Sequence, residues 1–206
     1  PGATNLVTGV AHAQGAQSPV IVITGAPMMK DTFRDSTQEL DQIAMFKPMV
    51  KWSVQARRPD RIGEIIQEAY MMSISGVPGP VHVDLPRDVM NELVDFQPSE
   101  DLWQVDRPNH APDPSLINNA VNLLNQSKKP VIIAGGGVLW SAASEKLLNL
   151  AESLGAIIMT STGRDDVVDN RHPLFLGSIG RGTIPEAREL FEESDLVLAI
   201  GTRLAH

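Results

Sequence analysis

The stretch K-P-V-I-I-A-G-G-G-V-L-W, Lys129–Trp140, decides the fold. Pro130–Ala134 is a short β-branched run bounded by proline and glycine, the pattern of a buried strand. Gly135, Gly136 and Gly137 make the turn that follows it. Ser141–Leu154 then places Leu147, Leu148, Ala151 and Leu154 at helical spacing, and Gly155 ends that helix. Further on, Ala156–Thr160 reads as a strand, Ile184–Glu193 as a helix, and Asp195–Ile200 as a strand stopped by Gly201. Strands alternating with helices predict a parallel sheet with helices on both faces.

Upstream, Asp113-Pro114-Ser115 is a helix start, with Ile117, Ala120, Val121 and Leu124 on one face. Before it, Pro98, Pro108 and Pro112 sit among acids and amides, a linker composition. A first α/β unit precedes the linker. Ser18–Gly25 and Pro80–Pro86 read as strands. Arg61–Ser75 is a helix with Ile62, Ile65, Ile66, Ala69 and Met72 inward, stopped by Gly76. The expected organisation is two doubly wound parallel-sheet domains at residues 1–95 and 114–206, joined by a linker at 96–113. Pro1 is not preceded by methionine, and His206 closely follows an apolar run. Both ends therefore read as cuts in a longer protein, with both domains truncated.

The composition narrows the function classes. A net charge of −8 argues against an electrostatic nucleic-acid binder. The absence of cysteine removes disulfides, thiolate metal sites and cysteine nucleophiles. No apolar run approaches the roughly 20 residues of a membrane span. A cytoplasmic protein acting on small molecules is the expectation.

Single motifs are weak here. Gly135 and Gly137 fit the start of a dinucleotide fingerprint, but Trp140 holds its third glycine position. Thr160 and Ser161 stand where an acidic ribose ligand belongs. Either a phosphate-admitting turn or a ligand-free β–α turn is compatible with the glycines. No phosphate loop and no G-x-S-x-G elbow occurs. The histidines show no i, i+4 pair, so no metal site is expected; His82 reads as a packed strand residue and His172 as a loop residue. Gln38, Glu39, Asp41 and Gln42 precede Ile43, Ala44 and Phe46. They read either as a helix start or as a polar edge turned into a cleft.

Several runs together are more specific. They are P-G-A-T-N-L-V-T-G (Pro1–Gly9), V-I-V-I-T-G (Val20–Gly25), T-Q-E-L-D-Q (Thr37–Gln42) and G-V-P-G-P-V-H-V-D-L-P-R-D-V (Gly76–Val89). K-P-V-I-I-A-G-G-G (Lys129–Gly137), H-P-L-F-L-G (His172–Gly177) and D-L-V-L-A-I-G-T-R (Asp195–Arg203) complete the set. In order and spacing the chain resembles thiamine-diphosphate-dependent enzymes of the acetolactate synthase type along essentially its whole length.

The resemblance implies a pyrimidine-binding domain followed by a central domain with a cleft for FAD or ADP. It implies that Pro1 and Asn5 line the aminopyrimidine pocket. Gln38 would be the catalytic side chain, reaching the reacting centre from a partner subunit of a homodimer or homotetramer. Gly135–Gly137, Thr160, Ser161, Gly201 and Arg203 would line the central cleft. The activating glutamate and the Mg²⁺–diphosphate motif would lie outside this chain, so the fragment alone would be inactive. The implied reaction is decarboxylation and carboligation of 2-keto acids. An oxalyl-CoA or 2-hydroxyacyl-CoA decarboxylase or lyase relative and a non-catalytic nucleotide-binding module are the alternatives. Three departures bear on the central cleft. Val77 replaces an arginine of G-R-P-G-P. T-S-T-G-R-D-D (Thr160–Asp166) brings two carboxylates near the cleft. Ala205 or His206 stands where an acid is usual. FAD and ADP therefore both remain open. Arg87 replaces a lysine of L-P-K-D.

Overall fold

The computed structural model describes residues 1–95 and 111–204. Contacts divide the chain into two compact units, Pro1–Asn109 and His110–His206. Most of the sequence-expected linker lies outside the described residues.

In the first unit, helices α1 (Gly2–Asn5) and α2 (Val7–Ala16) lead to strand β1 (Ile21–Ala26). Helix α3 (Gln42–Phe46), strand β2 (Ser53–Gln55), helix α4 (Ile62–Ile74), strand β3 (Val81–Pro86) and helix α5 (Arg87–Asn91) follow. The sheet is parallel throughout, in the order β1-β3-β2. Alternation along the strands feeds two cores. Val22 packs with Val10 of α2 and Phe46 of α3 on one face. Val81 and Val83 pack with Ala69 of α4 on the other. The apolar spacing expected in α4 is therefore the face it buries. Its end is closed by Lys51, whose Nζ donates to the carbonyls of Met72 at 2.6 Å and Ser75 at 2.7 Å. Gly76 follows in the left-handed region at φ 54°.

The second unit opens with α6 (Pro114–Gln126), whose cap is Asp113 with Pro114 at the first helical position. Then come β4 (Pro130–Ala134), α7 (Gly136–Trp140), α8 (Ser144–Leu154), β5 (Ile157–Ser161), β6 (Phe175–Ile179), α9 (Pro185–Glu192) and β7 (Leu196–Ile200). The parallel order is β6-β5-β4-β7. Ile132 and Ile158 face α8, beside Leu147 and Ala151. Val131 and Met159 face α9, beside Ala187. Both units are thus doubly wound.

Several details differ from the sequence reading. The glycine run is not a plain turn, because Gly136 and Gly137 already belong to α7. The helix expected from Ser141 begins only at Ser144, because Ala142 takes φ 48° and breaks it from α7. Strand β6 was not expected. Gly177 sits at φ 92° and the β5–β6 register shifts there, so a bulge hides the alternation. The face expected on α6 stays open: Ile117 and Val121 are exposed.

Candidate functional site

Gly25 and Ala26 end β1, and Arg87 follows β3. With Pro27, Met28, Asp31, Ser36, Thr37 and Gln38 they line a cleft of about 380 Å³. It opens beyond the carboxyl ends of parallel strands, where open α/β sheets bind their ligands. A second, smaller cleft of about 160 Å³ lies beside it, lined by Glu39, Asp41, Gln42, Gln55 and Asp84 among others.

The loop carrying Gln38 is strained and tied. Gln38 takes φ 64°, and Phe33 and Asp35 take φ 62° and 51°. Each non-glycine residue in this region costs about 1–2 kcal/mol, so the surrounding bonds must hold the shape. Glu39 accepts hydrogen bonds from Phe33 N at 2.5 Å, Ser36 N at 3.1 Å and Ser36 Oγ at 3.1 Å. The bond from Phe33 N, followed by that from Ser36 N, holds its carboxyl below the usual range. Asp88 accepts from Met29 N at the other end of the loop. Asp41 caps α3 by accepting from Ala44 N at 2.9 Å. Gln42, buried, donates its amide to the Gly25 carbonyl at 2.7 Å, while its Oε1 has no partner among the described residues. The polar run at 38–42 is therefore both a helix start and a cleft wall.

Beneath this loop lies a buried polar network that sequence reasoning missed. His82 is fully buried, with its ring 4.4 Å from that of Phe46. Its Nε2 lies 2.8 Å from Thr24 Oγ1 and its Nδ1 lies 2.8 Å from Ser53 Oγ. Thr24 donates its single proton to Asp84 Oδ1 at 3.1 Å. The hydrogen-bond network therefore assigns the Nε2–H tautomer, which donates to Thr24 and accepts from Ser53. Burial pushes the His82 pKa down, against the raising effect of the Asp84 carboxylate. Gln55 donates to Asp84 Oδ2 at 2.9 Å. The imidazole is thus a neutral pin across β1, β3 and β2, more than a packed side chain.

Pro1 and Asn5 are exposed and border α1, and neither lines the Gln38 cleft. The Pro1 carbonyl accepts from Thr4 Oγ1 at 2.8 Å. The side-chain amide of Asn5 offers one donor and one acceptor group, the set that an aminopyrimidine needs.

In the second unit the strand order reverses between β4 and β7, which makes a switch-point crevice. Gly135 and Gly201 stand at the ends of those two strands. A Cβ on Gly135 would lie 2.5 Å from the Gly201 carbonyl oxygen, and one on Gly137 2.7 Å from Gly201 Cα. These glycines make room for one another's backbone, so the glycine pattern is no sign of a diphosphate cradle. Gly136 alone turns elsewhere: its Cβ would lie 2.9 Å from Arg164 Nε. Thr160 is fully buried and donates to Asp165 Oδ1 at 3.0 Å, so that hydroxyl is engaged within the unit. Ser161 is half-buried at the end of β5, and Arg203 is exposed past β7. The sequence pattern gave no weight to Arg164, although it follows β5 by three residues. Among the described residues no group of three or more histidines and acids could hold a metal ion.

Two family models match the chain. The central domain of thiamine pyrophosphate enzymes matches residues 117–206, and the N-terminal thiamine-pyrophosphate-binding domain matches residues 1–45. A probable acetolactate synthase large subunit of Methanocaldococcus jannaschii is 39% identical over the whole chain and 35% of its own length. The acetolactate synthase large subunit of Corynebacterium glutamicum is 37% identical over 98% of the chain and 33% of its own length. A sulfoacetaldehyde acetyltransferase of Rhodobacter capsulatus is 33% identical over 99% of the chain and 34% of its own length. The chain spans about a third of the length of these relatives. With its parallel-sheet units and its quoted motifs, the chain belongs to the thiamine-diphosphate-dependent enzymes, in their acetolactate-synthase-like family.

Proposed function

We propose that the protein carrying this chain is a thiamine-diphosphate- and Mg²⁺-dependent enzyme that decarboxylates a 2-keto acid and joins the remainder to a second carbonyl. The observation that carries this is Gln38, held in a left-handed backbone at the wall of a polar cleft, in a chain of this family. Thiamine diphosphate, when bound, supplies the electron sink for the carbanion left by decarboxylation. Asn5 and the Pro1 edge would hold its aminopyrimidine. The Gln38 amide donates to an oxygen of the acceptor carbonyl, and Arg87 supplies a positive charge at the same cleft. The left-handed conformation fixes where the Gln38 side chain departs from the loop.

An active dimer or tetramer is part of the proposal: among the described residues Asn5 does not line the cleft of Gln38, which fits a site completed by a partner. A cytoplasmic setting is a further part; no described helix is long and apolar enough to cross a membrane. FAD or ADP in the second unit would have to bind without the glycine run as its cradle, because Gly135, Gly137 and Gly201 pack against one another's backbone.

The test uses the protein expressed from its full coding frame. Thiamine diphosphate binding is measured by calorimetry with Mg²⁺, and turnover of pyruvate is followed in the wild type and Gln38→Ala. The proposal expects binding, acetolactate as product, and a turnover loss of about 10²-fold in the variant, the scale of a lost transition-state donor. Turnover of sulfoacetaldehyde instead would move the substrate to that of the acetyltransferase relatives. Turnover of an acyl-CoA alone would favour the decarboxylase or lyase reading. No cofactor binding at all would favour a non-catalytic nucleotide-binding module.

A further inference from the structure

We propose that Glu39 is a positioning residue for Gln38; the inference rests on the role of Gln38 given above. Gln38 cannot hold its conformation by intrinsic preference, since a side chain at φ 64° is disfavoured. Two other residues of the same loop, Phe33 and Asp35, are left-handed as well. Relaxation of any of them would swing the loop and move the Gln38 amide.

Glu39 is the side chain that prevents it. Its two carboxylate oxygens gather Phe33 N, Ser36 N and Ser36 Oγ, closing residues 33–39 into a ring. All three partners are donors, so only an ionised carboxylate satisfies them together. An amide at this position would turn an NH₂ group against one of the backbone N–H groups. The ring carries Ser36, Thr37 and Gln38, one whole wall of the 380 Å³ cleft. Glu39 itself lines the neighbouring cleft, away from that wall. It holds the wall through Ser36 and the loop and does not itself line the Gln38 cleft.

The test is a double-mutant cycle on the protein expressed from its full coding frame, saturated with thiamine diphosphate and Mg²⁺. Gln38→Ala, Glu39→Gln and the double variant are compared with the wild type in pyruvate turnover. Cofactor Kd and hydrogen exchange of the 32–40 segment are measured alongside. We expect Glu39→Gln to lower kcat by about 10- to 100-fold, cofactor Kd to stay within about twofold, and exchange to speed up only in 32–40. The double variant should be no slower than Gln38→Ala alone, because Glu39 has nothing left to position. Glu39→Asp, which keeps the charge on a shorter arm, should recover part of kcat.

Additive losses in the double variant would make Glu39 a general structural residue and overturn the proposal. So would a Glu39→Gln variant with full kcat, while the role of Gln38 stands. If Gln38→Ala itself turns over normally, the role of Gln38 falls and the positioning role falls with it.

Discussion

Alanine at Gly135 should destabilise the protein and alanine at Gly136 should not, although the two residues are neighbours in one glycine run. Gly135 has φ −121°, which any residue adopts, so alanine meets no backbone strain there. The obstacle is steric. Its Cβ would meet the Gly201 oxygen at 2.5 Å, Thr202 Cβ at 2.6 Å and Thr202 Cα at 2.7 Å, mostly backbone that cannot rotate away. Ordinary contact starts at 3.4 Å, so the ends of β4 and β7 must part by about 0.9 Å. That strains the bonds Gly135 N to Ile200 O and Gly137 N to Gly201 O, 2.9 and 2.8 Å long. Losing two such bonds costs about 2 kcal/mol. Overpacking adds about 1–3 kcal/mol. The stiffer unfolded chain returns about 0.4–1 kcal/mol, leaving a net loss near 3 kcal/mol. At Gly136 the neighbour is the guanidinium of Arg164, at 2.9 Å on a long side chain that can move. Alanine in α7 also gains up to about 1 kcal/mol of helix propensity, so the net change should lie within about 1 kcal/mol of zero. The assay is hydrogen exchange of the 130–134 segment across a urea series. A Gly135→Ala protein whose β4 opens at the same urea concentration as the wild type would refute the close-packing account of this turn.

His82 and Asp195 give the remaining predictions, both read as stability against pH. The unfolded His82 takes up a proton near pH 6.5, while burial keeps the folded ring neutral to lower pH. Its contribution is complete above pH 6.5 and declines as pH falls below it, by at most about 1.4 kcal/mol per pH unit. Urea midpoints of the first unit between pH 5 and 7 should show this slope, and His82→Leu should flatten it while lowering the midpoint throughout. An unchanged slope in the variant would show that the ring is not the titrating group. Asp195 is held at about 2, first by the Ser127 hydroxyl and then by the amides of Lys128 and Lys129. Its contribution is present above about pH 4 and is lost as pH falls through 2. Asp195→Asn should therefore lower the midpoint of the second unit at pH 7 and leave it near that of the wild type at pH 2.

Where one periodicity dominated, the sequence was readable. Val131–Ala134, Ile62–Ile74 and Asp113 at the head of α6 fall where their patterns put them, because a buried strand, an amphipathic face and a cap each have a local cause. Short elements escaped. Ser53–Gln55 is three residues long, and Phe175–Ile179 has a bulge at its glycine, so neither shows two full periods. At the candidate site, Gln38 was visible only through the spaced motifs. Glu39 was not, because its meaning lies in backbone amides three and six positions before it. His82 reads as an apolar position in V-H-V-D-L, and only the sheet order brings Thr24 and Ser53 to its two nitrogens. The glycines were read for what they admit. The fold shows what they approach, which sequence alone does not contain.

The sheet order also sets a schedule for synthesis. β3 is the middle strand of the first unit, and among the described residues β1 and β2 pair only with it, after the chain reaches Val81. Thr24 waits 58 positions for His82, which is about 3–12 s at about 5–20 residues per second on a ribosome. β4 gains β5 on one edge first, but its other edge stays open until β7 is made and Lys128 meets Asp195, 67 positions later. During those seconds the ribbons V-I-V-I and P-V-I-I-A are the nascent chain's aggregation hazard. A chaperone that shields roughly sixty residues of emerging chain would protect both units in turn.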